Sequence, residues 1–352
     1  MRTLLFLDKV LMGAADEHAR GVELFNLNLI RDLAELGWRV TVAAHPSWLS
    51  RIRSRTDSEN VEIVSTERGG HGFFASWRLT RALGRRAFSA LILGNVANRL
   101  IPVMTLLRLR RASSQCVLIA HREPTRRCLW AQKLWPSTVV AVNRQIASHF
   151  KRHGFSRVSV CYGVTDAERY TPAENRQSDG CVHFCVVGQL DNAWKGSDTA
   201  VAAFRMLPDG VKQRCRLHLA SFRNPPDFGD ARIRAYAWMD AAAMPDFFRG
   251  MDAMIVPSRD EIVMRETFSQ VMVQGMLSGL PMLVNRLPIL EEKLDNGGGL
   301  VFDNAQGLCD AMARLANDSA ERRRMGQAAR ATALARYVWN SKTFADRFLP
   351  TR

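Results

Sequence analysis

Apolar residues along the chain fall into short continuous runs, separated by longer stretches in which they recur every three or four positions. Continuous runs suit strands covered on both faces, and the recurring positions suit helices with one buried stripe. The first run covers residues 3–7. A polar stretch with Gly13 in it follows at residues 8–20, and Val22, Phe25, Leu29, Leu33 and Leu36 then line one face of a helix that Gly37 stops. Residues 39–44 make the next strand. Strand, loop, helix and strand in this order imply a parallel sheet with a right-handed crossover. The alternation continues with strands at 61–65, 90–93, 116–120, 139–142 and 158–161, and with helices at 73–88, at 101–110 and up to about residue 153.

Residues 171–180, TPAENRQSDG, hold no large apolar side chain and read as a linker. A second series then predicts strands at 183–187, 216–220, 253–256 and 281–284. Helices are expected at 197–206, 244–249, 268–277 and 306–316, with a long charged helix from about residue 319 and a tail at 339–349. The class is therefore α/β, with two doubly wound domains: residues 1–172, a linker at 173–180, residues 181–335, and a terminal helix at 336–352 expected to pack back on the first domain. The carboxyl ends of both sets of strands are expected to face a cleft.

The most informative stretch is residues 257–281, PSRDEIVMRETFSQVMVQGMLSGLP. A buried strand runs into a polar loop, and a helix is expected to start at 267–269, where unpaired backbone N–H groups can receive an anion or sugar hydroxyls. Glu266 stands at its mouth. Gln274 comes eight residues later, a little over two turns, on roughly the same face. An acid at a helix start is by itself ordinary charge complementarity.

Composition narrows the setting. Of 352 residues 47% are hydrophobic, enough for about two cores, while 49 Lys and Arg against 34 Asp and Glu give +15 and imply anionic company. Nucleotides, nucleic acid and acidic headgroups all fit that charge, but no nucleic-acid recognition motif accompanies it. Seven cysteines without framework spacing read as reduced thiols of a cytosolic chain. Cys181, His183 and Cys185 alternate as in a core strand and lack a second ligand pair. No apolar stretch is long enough to cross a bilayer, and Asp8 and Lys9 interrupt the N-terminal run too early for a signal peptide.

Taken in order, several elements resemble the retaining glycosyltransferases of family 4. They are Val187-Gly188-Gln189-Leu190, Trp194-Lys195-Gly196, Pro257-Ser258-Arg259, Glu266-Thr267-Phe268-Ser269, Gly275-Met276 through Gly279-Leu280-Pro281, and Glu291 with residues 297–301. In the first domain Gly21-Val22-Glu23, residues 37–42, His121 and Tyr162-Gly163-Val164 are similar more loosely. The resemblance implies the GT-B fold, two Rossmann-like domains facing across a cleft, and transfer of a sugar from a nucleotide-sugar donor with retention of configuration. It gives Glu266 the contact to the donor sugar and places His121 near the reaction centre. Lys195 would meet the donor diphosphate, helped by Gly188 and the loop containing Gly13, with the backbone around Thr267, Phe268 and Ser269 binding hydroxyls or phosphate.

Three positions depart from the family. Gln189 stands for an arginine, Gln274 for the second acid that holds the ribose, and Ser269 for a glycine. A neutral amide still bonds a diol, without charge assistance. Arg259 or Arg265 is the expected substitute for the missing arginine, and Glu261 competes with Glu266 for the first-acid role. With no Asp-x-Asp motif, no metal and no other cofactor is expected. The acceptor implied is a glycan or a lipid-linked chain in cell-surface polysaccharide or lipopolysaccharide assembly. Arginines from Arg78 to Arg127, mixed with Trp77, Trp130 and Trp135, suggest an acidic membrane surface as a further partner, at the cytoplasmic face. The rival reading is a nucleotide-sugar-binding or scaffold protein whose Gln189 and Gln274 mark lost catalysis.

Overall fold

The continuous apolar runs become the inner strands of two parallel sheets. The computed structural model describes residues 2–15, 21–56, 59–66, 73–95, 98–113, 115–134, 137–162, 167–174, 179–260, 266–294, 296–338 and 341–350. Packing divides the chain into two compact units, Met1–Val164 with Trp339–Arg352, and Thr165–Val338.

In the first unit the elements are β1 (Thr3–Leu7), α1 (Gly21–Glu35), β2 (Arg39–Ala44), α2 (Leu49–Arg55), β3 (Val61–Ser65), α3 (Phe73–Ala82), β4 (Ala90–Leu93), α4 (Ile101–Leu109), β5 (Cys116–Ala120), α5 (Arg126–Leu134), β6 (Ser137–Ala141), α6 (Arg144–Arg152) and β7 (Val158–Val160). The strands lie in the order β3-β2-β1-β4-β5-β6-β7. In the second unit they are β8 (Val182–Val187), α7 (Ser197–Met206), α8 (Asp209–Lys212), β9 (Cys215–Phe222), β10 (Ile233–Ala237), α9 (Met244–Arg249), β11 (Ala253–Val256), α10 (Gln270–Leu277), β12 (Met282–Asn285), α11 (Pro288–Glu291), β13 (Gly299–Phe302), α12 (Ala305–Asn317) and α13 (Ser319–Arg336). Their order is β10-β9-β8-β11-β12-β13. The chain ends with α14 (Ser341–Phe348), which packs on α1 in the first unit.

Each sheet reverses direction once, between β1 and β4 and between β8 and β11. Two loops diverge at such a reversal and leave a crevice at the carboxyl ends of the strands, which is where open α/β sheets take their ligands. Burial enforces the geometry. Phe184, Phe204 and Leu217 are fully buried in the second unit's core, each worth about 2–3 kcal/mol relative to exposure.

The sequence pattern does not disclose β10 and β13, the two edges of the second sheet. With one neighbour each they are only half covered, and residues 233–237 therefore lack a continuous apolar run. The helix expected at 73–88 ends at Ala82, just before Gly84 turns the chain at φ +60°. His183 stacks on His218 at 5.1 Å and Cys185 is buried, so these residues belong to the sheet's packing. Among the described residues no group of three or more His, Cys, Asp or Glu is placed to hold a metal ion.

Candidate active site

The β8 and β11 strands diverge at the second unit's reversal, and the loops after them meet. After β8, Gly188 has φ +154° and leaves room for the Lys195 methylenes, which would lie 3.5 Å from a Cβ at that position. A single 3-10 turn, Ala193–Lys195, carries the lysine, and Gly196 ends it at φ +71°. A Cβ on Gly196 would come within 2.1 Å of the Pro257 carbonyl oxygen. That approach brings the two loops into contact, and Arg259 N–H donates to the Trp194 carbonyl at 2.7 Å. Gly196→Ala is accordingly expected to destabilise the protein by more than about 2 kcal/mol, because left-handed strain adds to a collision with backbone. Denaturant unfolding measures this; an unchanged midpoint would mean that the loops separate at little cost.

Between the loops sits an ion pair. Lys195 Nζ lies 2.8 Å from Glu266 Oε2, with the two side chains only 16% and 8% exposed. The ammonium also stands 4.2 Å from the Trp194 ring centroid. Ser258 Oγ donates to Glu266 Oε2 at 3.3 Å, and the Ser269 backbone N–H donates to Oε1 at 3.0 Å. Burial raises the pKa of Glu266, but the charge and hydrogen bond of Lys195, the more distant Lys293 and the Ser269 amide outweigh it. The carboxyl is held below its usual range. Glu266 is therefore an anion at neutral pH.

Helix α10 begins at Gln270, later than the expected 267–269, so Glu266 is not a first-turn residue and the common-face argument linking it to Gln274 fails. Its carboxylate instead bonds the amide of Ser269, the residue preceding the helix. Ser269 adopts φ +57°, a left-handed conformation that favours glycine, which accounts for the glycine of the resembled motif. Its hydroxyl and the Trp194 indole N–H are both buried without a hydrogen-bond partner. Two unsatisfied polar groups beside a buried ion pair suit a polar ligand. Gln274 is half-buried in α10, and its side chain has no hydrogen-bond partner among the described residues. Gln189 accepts from Asn192 at 3.4 Å. Thr267 is half-buried, and Phe268 is buried 6.3 Å from the Tyr337 ring.

Arg259, an expected substitute for the missing arginine at position 189, is held by partners of its own. Its guanidinium donates to Asp198 Oδ2 at 2.5 Å and Thr199 Oγ1 at 2.6 Å, which fixes it to the start of α7. Glu261 and Arg265 lie outside the described residues.

Lys293 is a member of this region that the sequence does not announce. Its side chain is wholly buried, lies 5.2 Å from the Phe268 and 5.5 Å from the Tyr337 ring centroid, and donates to the Ile289 carbonyl at 2.7 Å. Burial lowers its pKa to about 8, against the pull of Glu292 and Glu266. Residues 288–294, PILEEKL, read as a surface turn of helix, and only the sharing of a face with Ile289 signals that the lysine points inward.

Gly13 and His121 belong to the first unit. The Gly13 carbonyl accepts from the Trp48 indole at 3.0 Å, which pins the loop after β1. His121 follows β5, meets the Phe25 ring edge-on at 4.8 Å, and has an Nε2 buried without a partner. Burial lowers its pKa to about 4, so the imidazole is neutral at pH 7 and offers hydrogen bonds without charge. Asp8, at the end of β1, is wholly buried and raised to about 6 by that burial. Its Oδ1 accepts from the Val10 and Leu11 amides, while Oδ2 has no partner.

Residues 182–318 match the family described as glycosyl transferases group 1. No curated protein matches the chain. Among solved structures, HepE of Anabaena in complex with UDP is similar at TM-score 0.76 and 15% identity, over 98% of this chain and 99% of that one. A glycosyltransferase from Rickettsia africae gives 0.77 and 14%, over 98% and 96%. Sucrose-phosphate synthase from Thermosynechococcus elongatus gives 0.73 and 16%, over 98% and 97%. At these identities the likeness establishes the fold, which is GT-B with two Rossmann-like domains.

Proposed function

We propose that this GT-B chain is a retaining, metal-independent glycosyltransferase that moves a hexosyl group from a nucleotide sugar to a glycan or lipid-linked acceptor. The observation that carries the reading is the buried Lys195–Glu266 pair at the reversal of the second sheet, within the segment that matches the glycosyltransferase family. UDP-sugars are the first donors to test, since HepE structures hold UDP and UDP-glucose. The pathway proposed is cell-surface polysaccharide or lipopolysaccharide assembly, at the inner face of the cytoplasmic membrane.

In this reading Lys195 Nζ keeps one N–H on Glu266 and offers another to the donor diphosphate, and Glu266 accepts from sugar hydroxyls. The acceptor hydroxyl attacks the anomeric carbon from the face that the phosphate leaves. The carbon–oxygen bond to phosphate breaks as the new glycosidic bond forms, and the hydroxyl proton passes to the departing phosphate oxygen. The chain's task is to stabilise the charge that develops there with groups already fixed in place, which is commonly the largest contribution to catalysis.

A thermal-shift series with nucleoside diphosphates and their sugars tests the donor assignment. A ligand of the native state at about 100 times its Kd adds about 2.7 kcal/mol to stability. One nucleotide is expected to stabilise well above the others, and turnover is expected to persist in EDTA. Equal, negligible shifts for every nucleotide sink the donor assignment, and loss of turnover in EDTA sinks metal independence. The Gln189 and Gln274 departures favour a binding protein without catalysis as the second reading; it predicts the nucleotide shift without transfer.

A further inference from the structure

Between Glu67 and Glu123 the chain carries ten arginines and no acidic residue. A surface of that composition repels cations, although Arg86 finds an acidic partner in Glu62 of β3 at 2.6 Å. Within this stretch α3 packs against α4, buries Ser76, Leu79 and Thr80, and turns Phe73, Phe74, Trp77, Arg78 and Arg81 outward. These outward positions follow i, i+1, i+4, i+5 and i+8, one continuous face. The three aromatics are 61%, 76% and 46% exposed, an unusual cost for a helix that a few polar residues would have solvated.

The face continues beyond α3. Leu109 at the end of α4 is 76% exposed beside Arg108, Arg110 and Arg111, and Arg110 donates to the Thr80 carbonyl, which ties the end of α4 to α3. On α5, Trp130 is also exposed, next to Arg126 and Arg127. Successive crossovers from β3 to β4, β5 and β6 all advance across the sheet in one direction. Right-handed connections therefore put α3, α4 and α5 on the same side of it. On that side α3, α4 and α5 present aromatic rings interleaved with arginine, and none of the three helices carries an acid.

We propose that this face of the first unit docks on an anionic lipid bilayer, with Phe73, Phe74 and Trp77 seated at the headgroup level and Arg78 and Arg81 on the acidic phosphates. The chemistry of both parts argues for this occupant. Aromatic side chains suit the interface between headgroups and acyl chains, and arginine pairs with phosphate in two-pronged fashion. Arg81 already stands 5.5 Å from the Trp77 ring centroid, so ring and cation reach the same depth. The inference rests on the transferase reading only for its purpose, which is to bring the enzyme to a lipid-linked acceptor.

The test uses the full chain and co-sedimentation with vesicles of phosphatidylcholine alone or mixed with phosphatidylglycerol. Binding is expected only to the anionic vesicles and is expected to weaken with salt. Arg78→Gln and Arg81→Gln are each expected to weaken it about fivefold, and Phe74→Ser with Trp77→Ser to abolish it. The nucleotide-induced thermal shift is measured on every variant and is expected to stay as in the parent, so failure of docking and failure of donor binding are read separately. Equal binding to both vesicle types overturns the proposal, as does binding that survives all four substitutions. A concentration-dependent dimer lost in the Phe74→Ser, Trp77→Ser protein also overturns it, because the face would then hold a second copy.

Discussion

Glu266→Gln is expected to lower sugar transfer about a hundred- to a thousandfold, the range typical of removing one fixed electrostatic contact at a reaction centre. Nucleoside diphosphate affinity should change little, since in the proposed arrangement the diphosphate meets Lys195 and the loop amides while Glu266 meets the sugar. The glutamine keeps an oxygen to accept from the Ser269 amide, so the loop conformation has a reason to survive. What it removes is the anion opposite Lys195. Stripping one partner from a mostly buried pair costs up to about 3–5 kcal/mol when the other charge is trapped. Here Lys195 retains some exposure and the Trp194 ring, so a loss of about 1–2 kcal/mol is expected. The sign with pH follows from the lowered carboxyl: the pair stabilises above the unfolded carboxylate range and its contribution is lost as pH falls through the folded value. Steady-state transfer kinetics beside nucleotide titrations decide the case. Transfer within a few fold of the parent would end the catalytic role of Glu266, and a larger loss of nucleotide affinity in Glu266→Gln than in Lys195→Met would reverse the two assignments.

Lys293→Met is expected to change the pH dependence of stability by about 3 kcal/mol, since the folded pKa of about 8 lies some 2.5 units below the ordinary lysine value of 10.5. A lysine with a depressed folded pKa binds its proton more weakly in the native state than in the unfolded chain. Its cost is fully present below pH 8 and fades as pH rises towards 10.5, so the parent should gain stability across that window relative to the variant. At pH 7 a methionine of similar length removes a buried charge from between Phe268 and Tyr337, and the variant should be as stable as the parent or more so. Denaturant unfolding at several pH values measures both. A variant weaker by more than about 2 kcal/mol at pH 7 would show that the ring contacts and the Ile289 hydrogen bond exceed the desolvation cost. A cation that costs stability beside the candidate site needs another reason for being there. Its field on Glu266, which helps keep the carboxylate ionised, supplies one.

Much of the architecture was legible because parallel strands covered on both faces leave continuous apolar runs. β1, β5 and β11 lie where those runs stand. The edge strands β10 and β13 were not, because Arg234 interrupts the run of β10 and the three glycines at 297–299 make the approach to β13 read as a turn, nor were α2 and α5, whose polar and basic residues hide a narrow buried stripe. At the candidate site, Glu266, Lys195 and Ser269 stood out by their order along the chain, and the structure joins all three in one cluster. α10 starts later than the spacing predicts because Phe268 continues the helical pattern of Val271 and Met272, while the left-handed turn at Ser269 has no signature in a serine. Burial of Lys293 was invisible for a similar reason: a charged residue in a polar run looks solvated until its neighbours in space are known.

The return of α14 to the first unit bears on how the protein is made. Phe344 and Phe348 are buried there, and Gln115 donates to the Phe348 carbonyl at 2.7 Å. The first unit is thus interrupted in sequence by the whole of the second, and it lacks a wall until residues 341–348 have left the ribosome. The second unit is continuous in sequence, whereas the first is complete only once both of its segments are present. A chain truncated after residue 338 would keep the second unit whole beside a first unit whose α1 exposes the seat of α14, a species suited to chaperone capture.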